Sequence, residues 1–342
     1  MASPNNRSSN GSNGFNTVQN SRAEGRRRNE ALQTYTFVAV GCMLVLTIIL
    51  LVVMAVGGLV GGEGGSPLGQ KVDWGSFTVT ATDTLHGDLV LVDNTHAYTF
   101  PDSDEHLGKI WDVWNANPQP RPYILSGLSV YMDKDALIAM DKMLADFAKE
   151  TGNSNVQLRH AYRTLEDQEG KEILPGHSDH HTGLGCALMY EKDGTAYDLE
   201  LDAAYDWLYK NCHKYGFVVR YPKGKEAVTG IEDYSYYFRY VGVAHATYMQ
   251  KEDLCLEEYL ETLKEYDAEN PLAIRGADGK KYEVYYVAVD GSATVKYPTN
   301  YAYTVSGTNE GGVVVTVDRS AAQNPDADKD ADTAEDTGSA EQ

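Results

Sequence analysis

The chain has 342 residues, with 29 Lys and Arg against 50 Asp and Glu and a formal net charge of −21. That length supports one substantial core with accessory parts, and a surface this acidic repels nucleic acid and other polyanions, so no nucleic-acid partner is expected. Cys42, Cys186, Cys212 and Cys255 form no CxxC metal motif, and a domain of this size needs no disulfide framework, which leaves only a Cys212–Cys255 pair open.

Residues 1–30 are rich in Asn, Ser, Gly and Arg with almost no apolar content and read as a disordered segment. From Ala31 to Gly62 there is no Asp, Glu, Lys or Arg, and the apolar heart Phe37 to Val60 would span about 36 Å as a helix at ~1.5 Å per residue. The expectation is a transmembrane anchor over 31–62. Arg7, Arg22, Arg26, Arg27 and Arg28 precede it, and the positive-inside rule puts this end in the cytoplasm. The expected localisation is therefore the cell membrane, single-pass, with the main domain extracytoplasmic. Residues 63–86 are expected to be a linker.

Gly87 to Asp93 (GDLVLVD) reads as a strand. Asp133 caps a helix in which Leu137, Met140, Leu144 and Phe147 recur at helical spacing, ended by Gly152. Val156 to Tyr162 is extended and places Arg163 at a strand end. Pro175 to Leu188 (PGHSDHHTGLGCAL) runs from a Gly-rich loop into a strand. A helix over Asp202 to Tyr215 is ended by Gly216 and followed by the strand Phe217 to Tyr221. In a strand over Tyr236 to Val241, alternation sends Tyr234, Tyr236 and Phe238 one way and Tyr237 and Arg239 the other unless a bulge intervenes. A last helix, Glu252 to Tyr266, carries Leu256, Tyr259, Leu260 and Leu263 as its core stripe.

After Asn270-Pro271, four alternating runs rich in Val and Tyr (Tyr282–Val289, Ala293–Tyr297, Tyr301–Ser306 and Val313–Val317) form a small antiparallel β module, 271–319. Packing on the main domain and an independent wall-binding role both stay open for it. The acidic tail, 320–342, has no apolar periodicity and reads as disordered.

Two stretches carry the chemistry, Pro175 to Leu188 and Thr229 to Gly242 (TGIEDYSYYFRYVG). The first resembles the SxHxxGxAxD signature of the VanY-type D-alanyl-D-alanine carboxypeptidases, and the second resembles their ExxH segment, EPWHFRYVG. Ser178, His180 and Gly183 match, whereas the metal-binding Asp position is Ala187, the catalytic Glu position is Tyr234 and the second metal His position is Tyr237. Tyr162, Arg163 and Gln168 resemble the family's YRS…Q segment, whose Arg holds the substrate carboxylate. The resemblance covers roughly Gly87 to Tyr266 and implies a small antiparallel sheet with packed helices over 87–270; with the all-β module after it and one transmembrane helix before it, both read from the residues, the expected class is α+β.

A catalytic zinc takes three protein ligands of the His, Asp/Glu or Cys type plus water. Ala187 offers no ligand atom. A tyrosine binds metal only as a phenolate, and with an ordinary pKa near ~10 it is a weak general base. The leading reading is a membrane-anchored, catalytically impaired relative that binds a peptidoglycan stem peptide or a cell-wall protein through Arg163, Gln168 and Ser178. In that reading His180 is a vestigial metal residue, no catalytic group is intact and no cofactor is expected. A second reading keeps an active zinc D,D-carboxypeptidase with replacement ligands from His177, His181 or Glu232. A third is a purely structural ectodomain.

Overall fold

The computed structural model describes residues 72–117, 120–199, 204–232 and 234–322. The apolar run expected to anchor the chain lies outside them, as do residues 1–30 and most of the acidic tail. Among the described residues no helix is long and apolar enough to cross a membrane.

In chain order the elements are β1 (Trp74–Thr80), β2 (Leu107–Lys109), α1 (Ile110–Ala116), β3 (Ile124–Leu125), β4 (Tyr131–Asp133), α2 (Lys134–Thr151) and β5 (Val156–His160). The short helix α3 (Leu165–Gln168), β6 (Gly185–Lys192), β7 (Thr195–Asp198), α4 (Asp206–Asn211), β8 (Phe217–Tyr221), α5 (Glu226–Thr229) and β9 (Tyr234–Tyr240) complete the first half. Then come α6 (Val243–Glu252), α7 (Leu256–Leu263), β10 (Leu272–Arg275), β11 (Lys281–Ala288), β12 (Ser292–Pro298), β13 (Tyr301–Gly307) and β14 (Gly312–Ala322).

The central sheet runs β3-β5-β6-β9-β8, with β7 paired to β6; β5, β6, β9 and β8 are antiparallel neighbours. The long helix α2 covers one face. Asp133 accepts from the backbone N–H groups of Asp135 and Ala136 at its start, and Gly152, left-handed at φ 72°, ends it. Between these signals Leu137, Met140, Leu144 and Phe147 form one stripe, buried against Val156, Leu158, Leu188 and Phe238 of the sheet. Each large apolar side chain buried this way stabilises the fold by roughly 1.5–3 kcal/mol. The opposite face of the sheet is left to the site.

A second core joins the halves: Leu89 and Leu91 pack with Val241, Met249, the α7 stripe (Leu256, Tyr259, Leu260 and Leu263), Leu272, Val284 and Val314. The C-terminal strands, ordered β10-β11-β14-β13 with a β1-β12 pair, thus pack on the main domain.

Several expectations are corrected. Gly87 to Asp93 forms no strand, although Leu89 to Val92 is buried. Its carbonyls at Asp88 and Val90 accept from the Arg239 guanidinium at 2.9 and 3.2 Å, and the Leu91 N–H donates to the Thr308 carbonyl, so side-chain and loop partners replace a ladder. The segment expected to be a linker contains β1, paired along its length with β12. The expected tail begins too early, since β14 runs to Ala322. The last helix is shorter than expected: α7 starts where the Glu258 side chain accepts from the Cys255 N–H at 3.0 Å and carries the expected stripe, while Glu252 closes a separate helix, α6, that ends where Asp253 turns left-handed at φ 54°. The helix expected from Asp202 becomes α4 followed by a 3-10 turn over Cys212–Tyr215. Cys186, Cys212 and Cys255 are free and buried, so the Cys212–Cys255 pair is not made.

Candidate functional site

The loop from Ser178 makes a 3-10 turn over Asp179–Thr182 and leaves it through Gly183, left-handed at φ 72°. A Cβ at Gly183 would come within 2.7 Å of the Leu107 side chain and 3.1 Å of the Asp133 nitrogen, so the turn needs glycine on both counts. Asp179, only 1 % exposed, ties the turn to the sheet behind it by accepting from Arg239 and, at 3.2 Å, from the Tyr237 hydroxyl. The Arg220 Nε lies 3.6 Å from the same carboxylate, and its Nη2 lies 2.8 Å from Glu257. Both arginines are fully buried, and these carboxylates are what makes their burial tolerable.

A cavity of about 400 Å³ opens on this face of the sheet, and Arg163, Gln168, Ser178, His180, Ala187, Tyr234 and Tyr237 all line it. Two register shifts shape it. Leu158 pairs with Leu188 but His160 with Ala187, so β5 carries one extra residue and Arg159 and His160 both face the cavity. On the other side Val219 pairs with Phe238 and Tyr221 with Tyr234, so β9 bulges and Tyr234, Tyr236 and Tyr237 all reach the same space. The simple alternation expected for this strand is thereby broken.

On the metal side, the His180 Nδ1 lies 2.7 Å from the Ala161 carbonyl. A carbonyl only accepts, so Nδ1 carries the proton. Burial, then Arg163, push this imidazole well below the ordinary histidine range and keep it neutral. Ala187 pairs across the sheet with Tyr237, whose ring meets His180 edge-on at 4.7 Å. Tyr237 is 3 % exposed, and burial, then the Asp179 carboxylate, push its phenol well above 10. The phenolate that a metal would require is therefore the disfavoured form. Gly185 completes the packing: a Cβ there would lie 2.5 Å from the Tyr237 hydroxyl oxygen.

Zinc does not fit this donor set, since one position has no ligand atom and the other has a neutral phenol already donating to Asp179. Among the described residues no group of three or more His, Cys, Asp or Glu is placed to hold a metal. The replacement ligands do not converge. The His177 Nδ1 bonds the Asp93 carbonyl at 2.7 Å; the His181 Nδ1 bonds the Arg163 carbonyl at 2.7 Å while its Nε2 accepts from the Gly176 N–H at 3.0 Å. Glu232 is exposed and does not line the cavity. At the base position the Tyr234 hydroxyl donates to Glu172 at 3.2 Å, and burial, then Glu172, raise its pKa further from the range of a general base.

On the ligand side, Arg163 donates to the Gln168 side-chain oxygen at 3.1 Å, and the Gln168 amide donates to the Ile173 carbonyl at 2.8 Å. The buried Gln168 thus fixes the guanidinium. Ser178 is 1 % exposed and its hydroxyl has no hydrogen-bond partner among the described residues. A buried, unsatisfied donor beside an oriented guanidinium suits an incoming carboxylate.

Sequence reasoning missed Arg159, His160, Lys171 and Tyr221, which also line the cavity, and the support given by Asp179, Arg220 and Arg239.

The family model of D-alanyl-D-alanine carboxypeptidases (VanY) matches residues 171–243. A D-alanyl-D-alanine carboxypeptidase of Enterococcus faecium is 31 % identical over 251 residues, covering 70 % of this chain and 78 % of that protein. The bifunctional D-Ala-D-Ala dipeptidase and D-Ala-D-Ala carboxypeptidase VanXYC of Enterococcus gallinarum is 28 % identical over 42 % of this chain and 86 % of its own length. Among solved structures, the vancomycin-resistance D,D-dipeptidase VanXYg, in complex with a D-Ala-D-Ala phosphinate analog, is similar with a TM-score of 0.62 and 25 % identity, over 72 % of this chain and 100 % of that one.

Proposed function

The chain belongs to the VanY-type D-alanyl-D-alanine carboxypeptidase family, and from that premise we propose that it binds the carboxylate end of a cell-wall stem peptide, without zinc and without hydrolysing it, from a membrane-anchored extracytoplasmic position. Tyr237 carries the reading: its hydroxyl donates to Asp179 and fills the space a Cβ at position 185 would need, so the metal position is packed. Arg163, held by Gln168, supplies a planar fork for a carboxylate, and the Ser178 hydroxyl supplies a further donor. The tyrosines across the cavity give the peptide apolar contact and exclude water. Nothing on this side requires a metal.

The test is a calorimetric titration of the domain with a peptide ending in D-Ala-D-Ala, followed by mass spectrometry of the mixture. We expect saturable binding and intact peptide. Removing a charge-assisted hydrogen bond costs about 1.5–3 kcal/mol, so Arg163→Ala weakens binding by roughly ten- to a hundredfold while the fold, read by circular dichroism, is retained. Absence of binding by the parent protein favours a structural ectodomain, and release of D-alanine favours an active enzyme. The anchoring rests on the charge-free run Ala31 to Gly62 and the arginines before it. Protease added to intact cells is expected to remove the C-terminal domain and spare the N-terminus; protection of both ends contradicts that topology.

A further inference from the structure

The β5 bulge has a chemical consequence. It brings Arg159 and His160 together onto the cavity wall, where Lys171 and Arg163 also stand. In a chain of net charge −21 such cations would ordinarily be paired, yet none of Arg159, Arg163 and Lys171 has a carboxylate within ion-pair distance among the described residues. Among the described residues the Arg159 guanidinium donates to the Met189 sulfur at 3.2 Å, and that of Arg163 to the neutral Gln168 amide. Of the acids on the wall, Asp179 is held by buried arginines, Glu172 accepts from Tyr234, and Asp198, paired across the sheet with Met189, is exposed at the end of β7 and makes no ion pair with these cations among the described residues.

We propose that the cavity takes a ligand with two carboxylates, one at Arg163 and Ser178 and the second between Arg159 and Lys171 beside His160. This rests on the reading that the cavity binds a carboxylate, and it narrows the ligand to a peptide closed by an acidic residue, or a free dicarboxylate. Like charges gathered in a partly buried wall raise one another's energy, and an anion placed among them relieves it. His160 stands on the wall beside these cations, and its ring nitrogens can hydrogen-bond an acid oxygen. Ser178, whose buried hydroxyl has no hydrogen-bond partner among the described residues, supports the first of the two positions.

The experiment compares glutarate with valerate, which differ by one carboxylate, and acetyl-D-Ala-D-Glu with acetyl-D-Ala-D-Gln, which differ by one charge. Binding to the domain is measured at low salt by calorimetry and by the NMR shift of the His160 ring. One additional charge-assisted hydrogen bond corresponds to about tenfold or more, so glutarate and the D-Glu peptide should each bind about tenfold tighter than their partners. Arg159→Gln and Lys171→Gln, both with unchanged circular dichroism, should remove that advantage while leaving valerate affinity alone, and Arg163→Ala should weaken every ligand. A glutarate preference with no peptide binding keeps the two-anion site and overturns the stem-peptide reading. Equal affinity within both pairs, or a preference that survives in Arg159→Gln and Lys171→Gln, overturns the inference and leaves carboxylate binding standing. If nothing binds, both readings fall.

Discussion

The two halves of the cavity share a loop and a sheet, yet they hold their polar groups in opposite ways. On the ligand side Arg163 is oriented by Gln168 and Ser178 is left with an open hydroxyl. On the metal side every change is closed off: Tyr237 donates to Asp179, Ala187 packs beside it, and Gly185 gives up a Cβ so that the ring fits. Random erosion of a metal site leaves a void or a buried polar group without a partner, each of which destabilises. Here the space is refilled and the new hydroxyl is satisfied. The contrast teaches that the metal side is packed as a core, while the ligand side keeps polar groups lining the cavity.

The largest expected effect tests what the halves have in common. Asp179→Ala leaves Arg220 and Arg239 buried around a missing carboxylate, and breaking such a pair costs about 3–5 kcal/mol, measured by urea unfolding. A loss below about 1 kcal/mol breaks the idea that one carboxylate supports both sides.

Acid sharpens the comparison by loading a buried group outside the cavity. His245 bonds the Tyr259 and Thr316 hydroxyls at 2.7 and 2.9 Å, and burial pushes it down to about 4. Its folded value lies below the unfolded one of ~6.5, so the unfolded chain takes up the proton first. Stability is complete above pH ~6.5 and falls as the pH drops towards 4, by up to about 3 kcal/mol. His245→Gln should flatten that slope without touching ligand affinity. A slope unchanged by the substitution removes His245 from the account.

Much of the scaffold was legible because its signals are local. Asp133, the stripe from Leu137 to Phe147 and Gly152 delimit α2 within one stretch of chain, and Phe217–Tyr221 is a strand as read. Gly87 to Asp93 misled because the partner of its carbonyls is Arg239, about 150 residues away, which no periodicity records. In the cavity, the substituted positions fell where the motif places them, since Tyr237 pairs with Ala187. Arg159 and His160 were missed because adjacent residues of a regular strand point apart, and only the bulge in β5 turns both to one side.

The smallest stability effect bears on the repacking itself. Gly185→Ala drives a Cβ to 2.5 Å from the Tyr237 hydroxyl oxygen, and overpacking of this kind costs about 1–3 kcal/mol. Tyr237→His in the same chain should recover most of it, giving a coupling of at least about 0.5 kcal/mol in a double-mutant cycle. A neutral Gly185→Ala means the tyrosine is not wedged there.

The most direct measurement is zinc content of the purified domain after equilibration with zinc and dialysis, alongside D-alanine release from a D-Ala-D-Ala peptide. With Ala187 and a neutral Tyr237 at the ligand positions, the account predicts far less than one zinc per chain and no release. One equivalent of zinc with chelator-sensitive release of D-alanine contradicts it.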